Sequence, residues 1–421
     1  MSLKLRDSKH IWHPLTQHQI HPHALGISSA SGVYLKDDQG NRYIDGISSW
    51  YTAVYGHCNP KITNPVAMQM QTLDQVVFAG FTHEPAVALS EALIPILPYN
   101  QNRLFFSDNG STAVDVALKM AIQYHHNQGV KKNVFVALDN GFHGDTFGAM
   151  SVSGLSVYNG AFEDFFIDVK RIPVPNSENL SEVLKSFEEL LQEGDIAGFI
   201  YEPLVQGAAA MHIYPADGIC ALLKLCKQYN VLKIADEVMT GFGKTGTPFA
   251  SDQITIKPDI ICLSKALTAG LMPMAITTCS EQIFEAFLSD KNAKGLFHGH
   301  TYTANPLACC AALAAIELFQ TTEIQQGIQL INRAHLAFEA KIKTHPKVDK
   351  TRVLGVIFAL DLETQMDRYG SVRDQLFQFF MDNGVFLRPL GNTIYILPPY
   401  VITVEELEKI YKTIEEALGI L

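Results

Sequence analysis

Between Val231 and Thr268 two apolar runs end in opposite charges. Val231-Leu232-Lys233-Ile234-Ala235 leads into Asp236-Glu237, and Pro258-Asp259-Ile260-Ile261-Cys262-Leu263 leads into Ser264-Lys265. Apolar runs of about 4 to 8 residues read as buried strands, and ligands of α/β sheets collect at the carboxyl ends of such strands. The stretch therefore constrains the chain to an α/β fold that aims a carboxylate and an amine into one crevice. An amine that can attack a carbonyl, Lys265, near a carboxylate that can hold a protonated ring nitrogen, Asp236, is the pairing a pyridoxal phosphate site needs. Taken singly, each residue also fits an ordinary solvated strand end.

The rest of the chain supplies the sheet. From about Gly56 to Leu307, short apolar runs such as Arg103-Leu104-Phe105-Phe106-Ser107, Asn133-Val134-Phe135-Val136-Ala137 and Gly198-Phe199-Ile200-Tyr201 alternate with helical stretches. This is the βαβ pattern of a mainly parallel sheet flanked by helices. A long helical stretch from Leu307, a hairpin-like segment Gly391-Asn392-Thr393-Ile394-Tyr395-Ile396 and a helix from Thr403 predict a smaller α+β unit. The strands Val33-Tyr34-Leu35 and Arg42-Tyr43-Ile44 join that unit. The expected division is a large domain over 56–309 and a small one built from 1–55 and 310–421. A chain of 421 residues is too long for one compact core.

Charge and cysteine usage exclude several function classes. A net charge of -11 argues against a nucleic-acid partner, which needs clustered Lys and Arg. Any bound phosphate must then be held mainly by local backbone groups. The seven cysteines form no C-x-x-C pair and sit mostly in apolar runs such as Ala308-Cys309-Cys310-Ala311, as reduced core thiols do. The first residues carry no apolar export core, and no stretch reaches the roughly 18 apolar residues that span a bilayer. The expectation is a cytoplasmic protein with no membrane partner.

Four further segments carry candidate chemistry. Ser107-Asp108-Asn109-Gly110-Ser111-Thr112 lies between a strand and a helix whose one narrow polar stripe is Asp115, Lys119 and Gln123. The N-terminus of so buried a helix presents free N–H groups and hydroxyls to a phosphate; a plain Ser or Thr cap is the alternative. In Asn140-Gly141-Phe142-His143-Gly144-Asp145-Thr146 the glycines mark close backbone approach, and Phe142 is placed to lie over a flat heterocycle or, failing that, in the core. No second His or Cys stands at ligand spacing from His143, so no metal is expected. Glu202 and Gln206 follow another apolar strand and point to the same crevice end of the sheet, with a structural role as the alternative to one in the site. Thr301 offers a helix cap or a phosphate hydroxyl, and Arg388 a carboxylate clamp or a surface charge. Gly241-Phe242-Gly243-Lys244-Thr245-Gly246 mimics a dinucleotide fingerprint, but Pro248 follows at once and no helical period begins, so that reading is rejected.

Ile234-Ala235-Asp236-Glu237-Val238-Met239-Thr240-Gly241-Phe242-Gly243-Lys244-Thr245-Gly246, followed by Leu263-Ser264-Lys265-Ala266-Leu267, resembles the signature of the class III aminotransferases. Within that class, Ile11-Trp12-His13-Pro14, Asp45-Gly46-Ile47-Ser48-Ser49-Trp50, the run Gly141 to Val152, and Arg388-Pro389-Leu390-Gly391 resemble the members that aminate 8-amino-7-oxononanoate in biotin synthesis. The resemblance implies a fold-type-I pyridoxal phosphate enzyme, a homodimer with shared active sites, and a ping-pong exchange between a small-molecule amino donor and a keto-acid acceptor. It implies that Lys265 forms the Schiff base with the cofactor and shuttles the proton. Asp236 would hold the pyridinium, Phe142 would stack on it with His143 nearby, and Gly110, Ser111 and the partner subunit's Thr301 would bind the phosphate. Trp50, Tyr51, Phe142, Gly299, Arg388 and Tyr395 would line the substrate pocket. Leu15 stands where relatives using S-adenosylmethionine as donor usually carry Tyr, which leaves lysine as an alternative donor. Another ω-amino acid aminotransferase is the alternative activity. Phe142 replaces a more usual Tyr, and Lys244 a more usual Arg.

Overall fold

The computed structural model describes residues 3–21, 24–156, 159–364 and 370–420. Among these, a central seven-stranded sheet runs in the order Arg103–Ser107, Ala275–Cys279, Ile260–Leu263, Leu232–Asp236, Ile196–Tyr201, Val134–Leu138, Val169–Ile172. The strands from Ile260–Leu263 to Val169–Ile172 all pair in parallel. Ala275–Cys279 runs antiparallel to both its neighbours, the one departure from the parallel pattern. Its cause lies in the connection from Leu263 to Ala275, which carries only the single short turn Lys265–Thr268. A parallel return needs a crossover of a dozen or more residues, usually through a helix.

Every residue of Val134–Leu138, Ile196–Tyr201, Leu232–Asp236 and Ile260–Leu263 is buried, which is why these strands read as continuous apolar runs. Alternate side chains serve opposite faces. Phe135, Ala137, Ile200 and Ile234 pack with Ala113, Val114, Ala117 and Ala121 of the helix Gly110–Asn127. Val136, Phe199, Tyr201 and Ala235 pack on the other side with Phe187 of Leu180–Gln192 and Leu222 of Ala216–Gln228.

The two ends of the chain meet in a separate sheet: Val385–Phe386 pairs in parallel with Arg42–Asp45, which continues through Tyr34–Asp37 to Ile27–Ser31. The segment expected as a hairpin at 391–396 is instead one strand, Thr393–Ile396, paired with the distant Ile357–Leu362. Only a bridge between Leu390 and Thr393 closes locally. The helical stretch from Leu307 begins at Pro306 and is two helices, Pro306–Phe319 and Thr322–Ile342, bent by 69°. Thr321 breaks it by capping the second helix, its side chain accepting from Ile324 N. Among the described residues no single helix is long and apolar enough to cross a membrane.

Candidate active site

The parallel strands deliver their carboxyl ends to one crevice, and with them four chemical groups. Asp236 ends Leu232–Asp236, Glu202 follows the adjacent Ile196–Tyr201, and the loop bearing Phe142 and His143 follows Val134–Leu138 one strand further on. Lys265 follows Ile260–Leu263 on the other side of Asp236.

Asp236 is only 4% exposed, and a buried carboxylate is tolerable when its oxygens are hydrogen-bonded. Val238 N donates to Oδ1 at 3.0 Å and His143 Nδ1 to Oδ2 at 2.7 Å. His143 is itself fixed by its backbone N–H, 2.9 Å from Ser153 Oγ. Glu202 accepts from Phe142 N at 2.9 Å and Gly207 N at 3.0 Å, so it holds the backbone of the aromatic loop. Burial pushes Glu202 up to about 7, with Asp236 adding to the rise and His143 and the two N–H groups opposing it.

Lys265 stands at φ 51°, a left-handed conformation that a side chain disfavours and that persists where surroundings over-determine it, as at active sites. Its Nζ lies 5.1 Å from the centre of the Tyr51 ring. Burial holds the amine below the ordinary lysine value, against the pull of Asp236 and Glu202. An amine so shifted supplies more of the neutral form that attacks carbonyl carbon and accepts protons.

On the substrate side, the Tyr51 and Tyr395 hydroxyls are 3.2 Å apart, both buried. The Arg388 guanidinium lies 4.8 Å over the Trp50 ring. Ser48, Ser49, Trp50 and Tyr51 occupy consecutive left-handed positions, with φ of 49°, 44°, 68° and 70°. Chirality sets about 1–2 kcal/mol per residue against such a turn. Trp50 and Phe142 keep 41% and 44% of their surface exposed, apolar area available to a ligand.

The helix Gly110–Asn127 is capped by Asn109 in a reciprocal box with Thr112, not by a Ser or Thr at its first positions. The cap leaves Ser111 to accept from Asp145 N at 3.1 Å. Gly144, at φ 132°, packs so closely on Ser111 that a Cβ would collide with it, and a Cβ on Gly110 would come within 2.8 Å of Val238. Two glycines thus shape a close-fitting cradle at a helix N-terminus beside Asp236, the form a phosphate requires. With an amine, a carboxylate and an exposed aromatic face in the same crevice, the residues present fit a phosphorylated, aldehyde-bearing heterocycle.

Gly299 and Thr301 stand apart from this group. Both are exposed, on a segment anchored by His300 Nδ1 to Asp108 Oδ2 at 2.7 Å. Thr301 caps no helix; Asn305 caps Pro306–Phe319. Leu15, at φ 52°, is 59% exposed. The glycine-rich segment 241–246 is a turn with no helix behind it before the short Ala250–Gln253. Fully buried Glu237 closes this turn by accepting from Ala250 N, Ser251 N and Thr240 Oγ1. A cavity of about 530 Å³ opens on the Gln206 side of Phe142, lined by Asn140, Leu155, Pro173 and His212, and does not reach Lys265. The bond of Asp236 to His143, and the hold of Glu202 on the aromatic loop, were not legible in the sequence. The only local signal was a glycine on each side of Phe142-His143.

The chain belongs to the class III aminotransferases: the profile of Aminotransferase class-III matches residues 15–418. Its architecture is accordingly fold type I, and it is an aminotransferase. It is 42% identical to adenosylmethionine-8-amino-7-oxononanoate aminotransferase of Synechococcus elongatus, over 97% of this chain and 98% of that protein. The crystal structure of adenosylmethionine-8-amino-7-oxononanoate aminotransferase from Methanocaldococcus jannaschii superposes with a TM-score of 0.94 at 32% identity, covering 99% and 98% of the two chains. An amine transaminase from an uncultivated Pseudomonas species, in its PLP-bound form, gives 0.91 at 29% identity over 97% and 98%.

Proposed function

We propose that this aminotransferase uses pyridoxal phosphate to transfer an amino group from S-adenosylmethionine to 8-amino-7-oxononanoate, giving 7,8-diaminononanoate for biotin. The observation that carries the reading is the grouping of Lys265, Asp236–His143 and the Trp50–Arg388, Tyr51–Tyr395 pairs around one crevice. The names of the full-length relatives supply the substrates.

Bound there, the cofactor supplies an electron sink for the charge left on a substrate carbon when its proton departs. Asp236 would keep the ring nitrogen protonated, with His143 holding Asp236 in orientation through its 2.7 Å bond. Gly110 and Ser111 would hold the phosphate with Thr301 of the partner subunit, and Phe142 would cover the ring. Lys265 would be the nucleophile toward the cofactor and, once free, the base and acid that moves the proton. Arg388 takes the keto-acid carboxylate, with Trp50, Tyr51, Tyr395 and Gly299 forming the pocket walls.

We further infer a large unit over 56–309 that holds the cofactor and a small one from 1–55 and 310–421. A homodimer accounts for the exposure of Trp12, Phe297 and Tyr302, at 89%, 77% and 62%. Seven unpaired thiols favour the cytoplasm.

The test is a pair of half-reactions on the purified protein, read from the cofactor's visible absorption. S-adenosylmethionine is expected to convert the resting spectrum, and 8-amino-7-oxononanoate to restore it. Failure of the keto acid to restore it overturns the acceptor assignment. Conversion by lysine and not by S-adenosylmethionine overturns the donor.

A further inference from the structure

The left-handed turn that carries Trp50 and Tyr51 has a buried anchor. Asp45, the last residue of the strand Arg42–Asp45, is 0% exposed. Its Oδ2 accepts from Ser49 Oγ at 2.7 Å and pairs with His57 Nε2 at 2.8 Å, while Oδ1 accepts from Ile47 N at 3.3 Å. Ser48 Oγ donates to Leu397 O at 2.8 Å, and Thr52 Oγ1 to Ser49 O at 2.9 Å. His57 in turn is tied by its backbone to Gly32 in both directions. Four consecutive left-handed residues other than glycine do not hold themselves in place. Here one carboxylate gathers both sides of the turn.

What the turn holds is the substrate face. Trp50 stacks under Arg388, Tyr51 meets Tyr395, and the Tyr51 ring faces Lys265 Nζ. The next residue, Thr52, packs against Gly270, where a Cβ would lie 2.8 Å from Thr52 Oγ1. Gly270 and Ala269 are themselves left-handed, at φ 74° and 54°, on the loop that begins with Lys265. The strained turn is thereby seated against the strained lysine loop.

We propose that Asp45, with Ser49 and His57, is a positioning cluster for the substrate face: it locks the left-handed turn so that Trp50 presents Arg388 to the substrate carboxylate. None of the three touches the reacting atoms. The role rests on the reaction proposed above, which gives Arg388 a substrate carboxylate to hold; the donor carries a carboxylate as well, so the cluster serves both half-reactions through one clamp. Shifting a clamp by even a small distance weakens binding out of proportion to the displacement.

The experiment uses the holoenzyme with Ser49→Ala, which removes one bond of the anchor and keeps the turn's backbone, and Asp45→Asn, which keeps its volume. In both, KM for 8-amino-7-oxononanoate is expected to rise about 10-fold, the scale of one hydrogen bond to a charged group, with KM for the carboxylate-bearing donor rising as well and kcat little changed. A second readout is independent of the substrate. The chain has two tryptophans, so in a Trp12→Phe background the emission comes from Trp50, and the variants are expected to show greater acrylamide quenching. A lowered Tm with unchanged acceptor KM and unchanged quenching would mean a structural role and overturn the proposal. A fall in kcat with both KM values unchanged overturns it too, since the cluster would then act through Lys265. Should the parent enzyme not use this keto acid, the assigned reaction fails, and the cluster is judged on Trp50 quenching alone, where no change overturns it.

Discussion

Lys265 and Lys244 are both held below the ordinary lysine value by burial, yet their surroundings differ in every other respect. Lys265 keeps part of its surface open to the crevice and is balanced by Asp236 and Glu202, which favour its charged form. Lys244 is 0% exposed, donates to Gly241 O at 2.9 Å, and is pushed down to about 7 by burial and then by the nearby Lys265 charge, with Glu237 opposing. Desolvation alone therefore does not make a catalytic amine. What separates the two is access to a ligand: Lys244 is sealed while Lys265 is partly open. The comparison also shows that the glycine-rich turn, although part of the family signature, is a packed connection whose lysine reaches no cleft.

The largest effect should come from replacing the open lysine. With the roles proposed above, Lys265→Ala would remove nucleophile and proton carrier together, so turnover should fall by at least ~10⁴-fold, the upper scale of acid–base catalysis. Lys244→Met should leave kcat within a few-fold. Comparable losses in steady-state assays of the two variants would erase the distinction. Next is Asp236→Asn, which removes the charge that His143 orients. An opposite charge at this range sets a pKa by about 1–3 units, so kcat should fall roughly 10–10³-fold while the protein still folds. A loss confined to Tm would put Asp236 among the merely structural carboxylates, beside Glu237.

That pair shows how far sequence alone reaches. Asp236 and Glu237 are adjacent, and strand alternation sends them to opposite faces: one to His143, the other to the backbone of residues 250 and 251. The strands, the crevice and the lysine were legible because apolar runs and the charges ending them are local patterns. Glu202's hold on the Phe142 backbone, and Asp45's on Ser49 and His57, depend on which strands become neighbours, and no local spacing encodes that. The antiparallel strand Ala275–Cys279 was likewise decided by a short connection instead of by its own composition. Ser107 to Thr112 was correctly placed at a helix start. The cap fell to Asn109 because it is the last extended residue before the first turn, where its amide oxygen reaches Thr112 N.

The sealed lysine makes a stability prediction of intermediate size. Its folded pKa, about 7, lies below the unfolded value of about 10.4. Between those values the unfolded chain binds more protons, so this group's contribution to stability rises with pH from about 7 to about 10 and is least below 7. Lys244→Met removes the buried ammonium and should raise stability at pH 7 by about 2 kcal/mol, allowing for the Gly241 carbonyl left without its donor. The gain over the parent should shrink toward pH 10 in denaturant titrations. A gain that grows with pH would mean that Lys244 is stabilised in its charged form.

The smallest effect concerns the balance at Lys265. Glu202, raised to about 7 by burial, contributes stability that is full below its unfolded value of about 4.3 and lost as pH rises through 7. Around neutrality its ionisation also raises the Lys265 amine. Glu202→Gln keeps one acceptor for the Phe142 and Gly207 N–H groups and deletes that charge. The acidic limb of the kcat/KM profile, set by deprotonation of the Lys265 amine, should then move to lower pH, while the stability that the parent loses between about pH 4.3 and 7 should flatten. A limb that stays in place would show that Asp236 alone sets the open lysine apart from the sealed one.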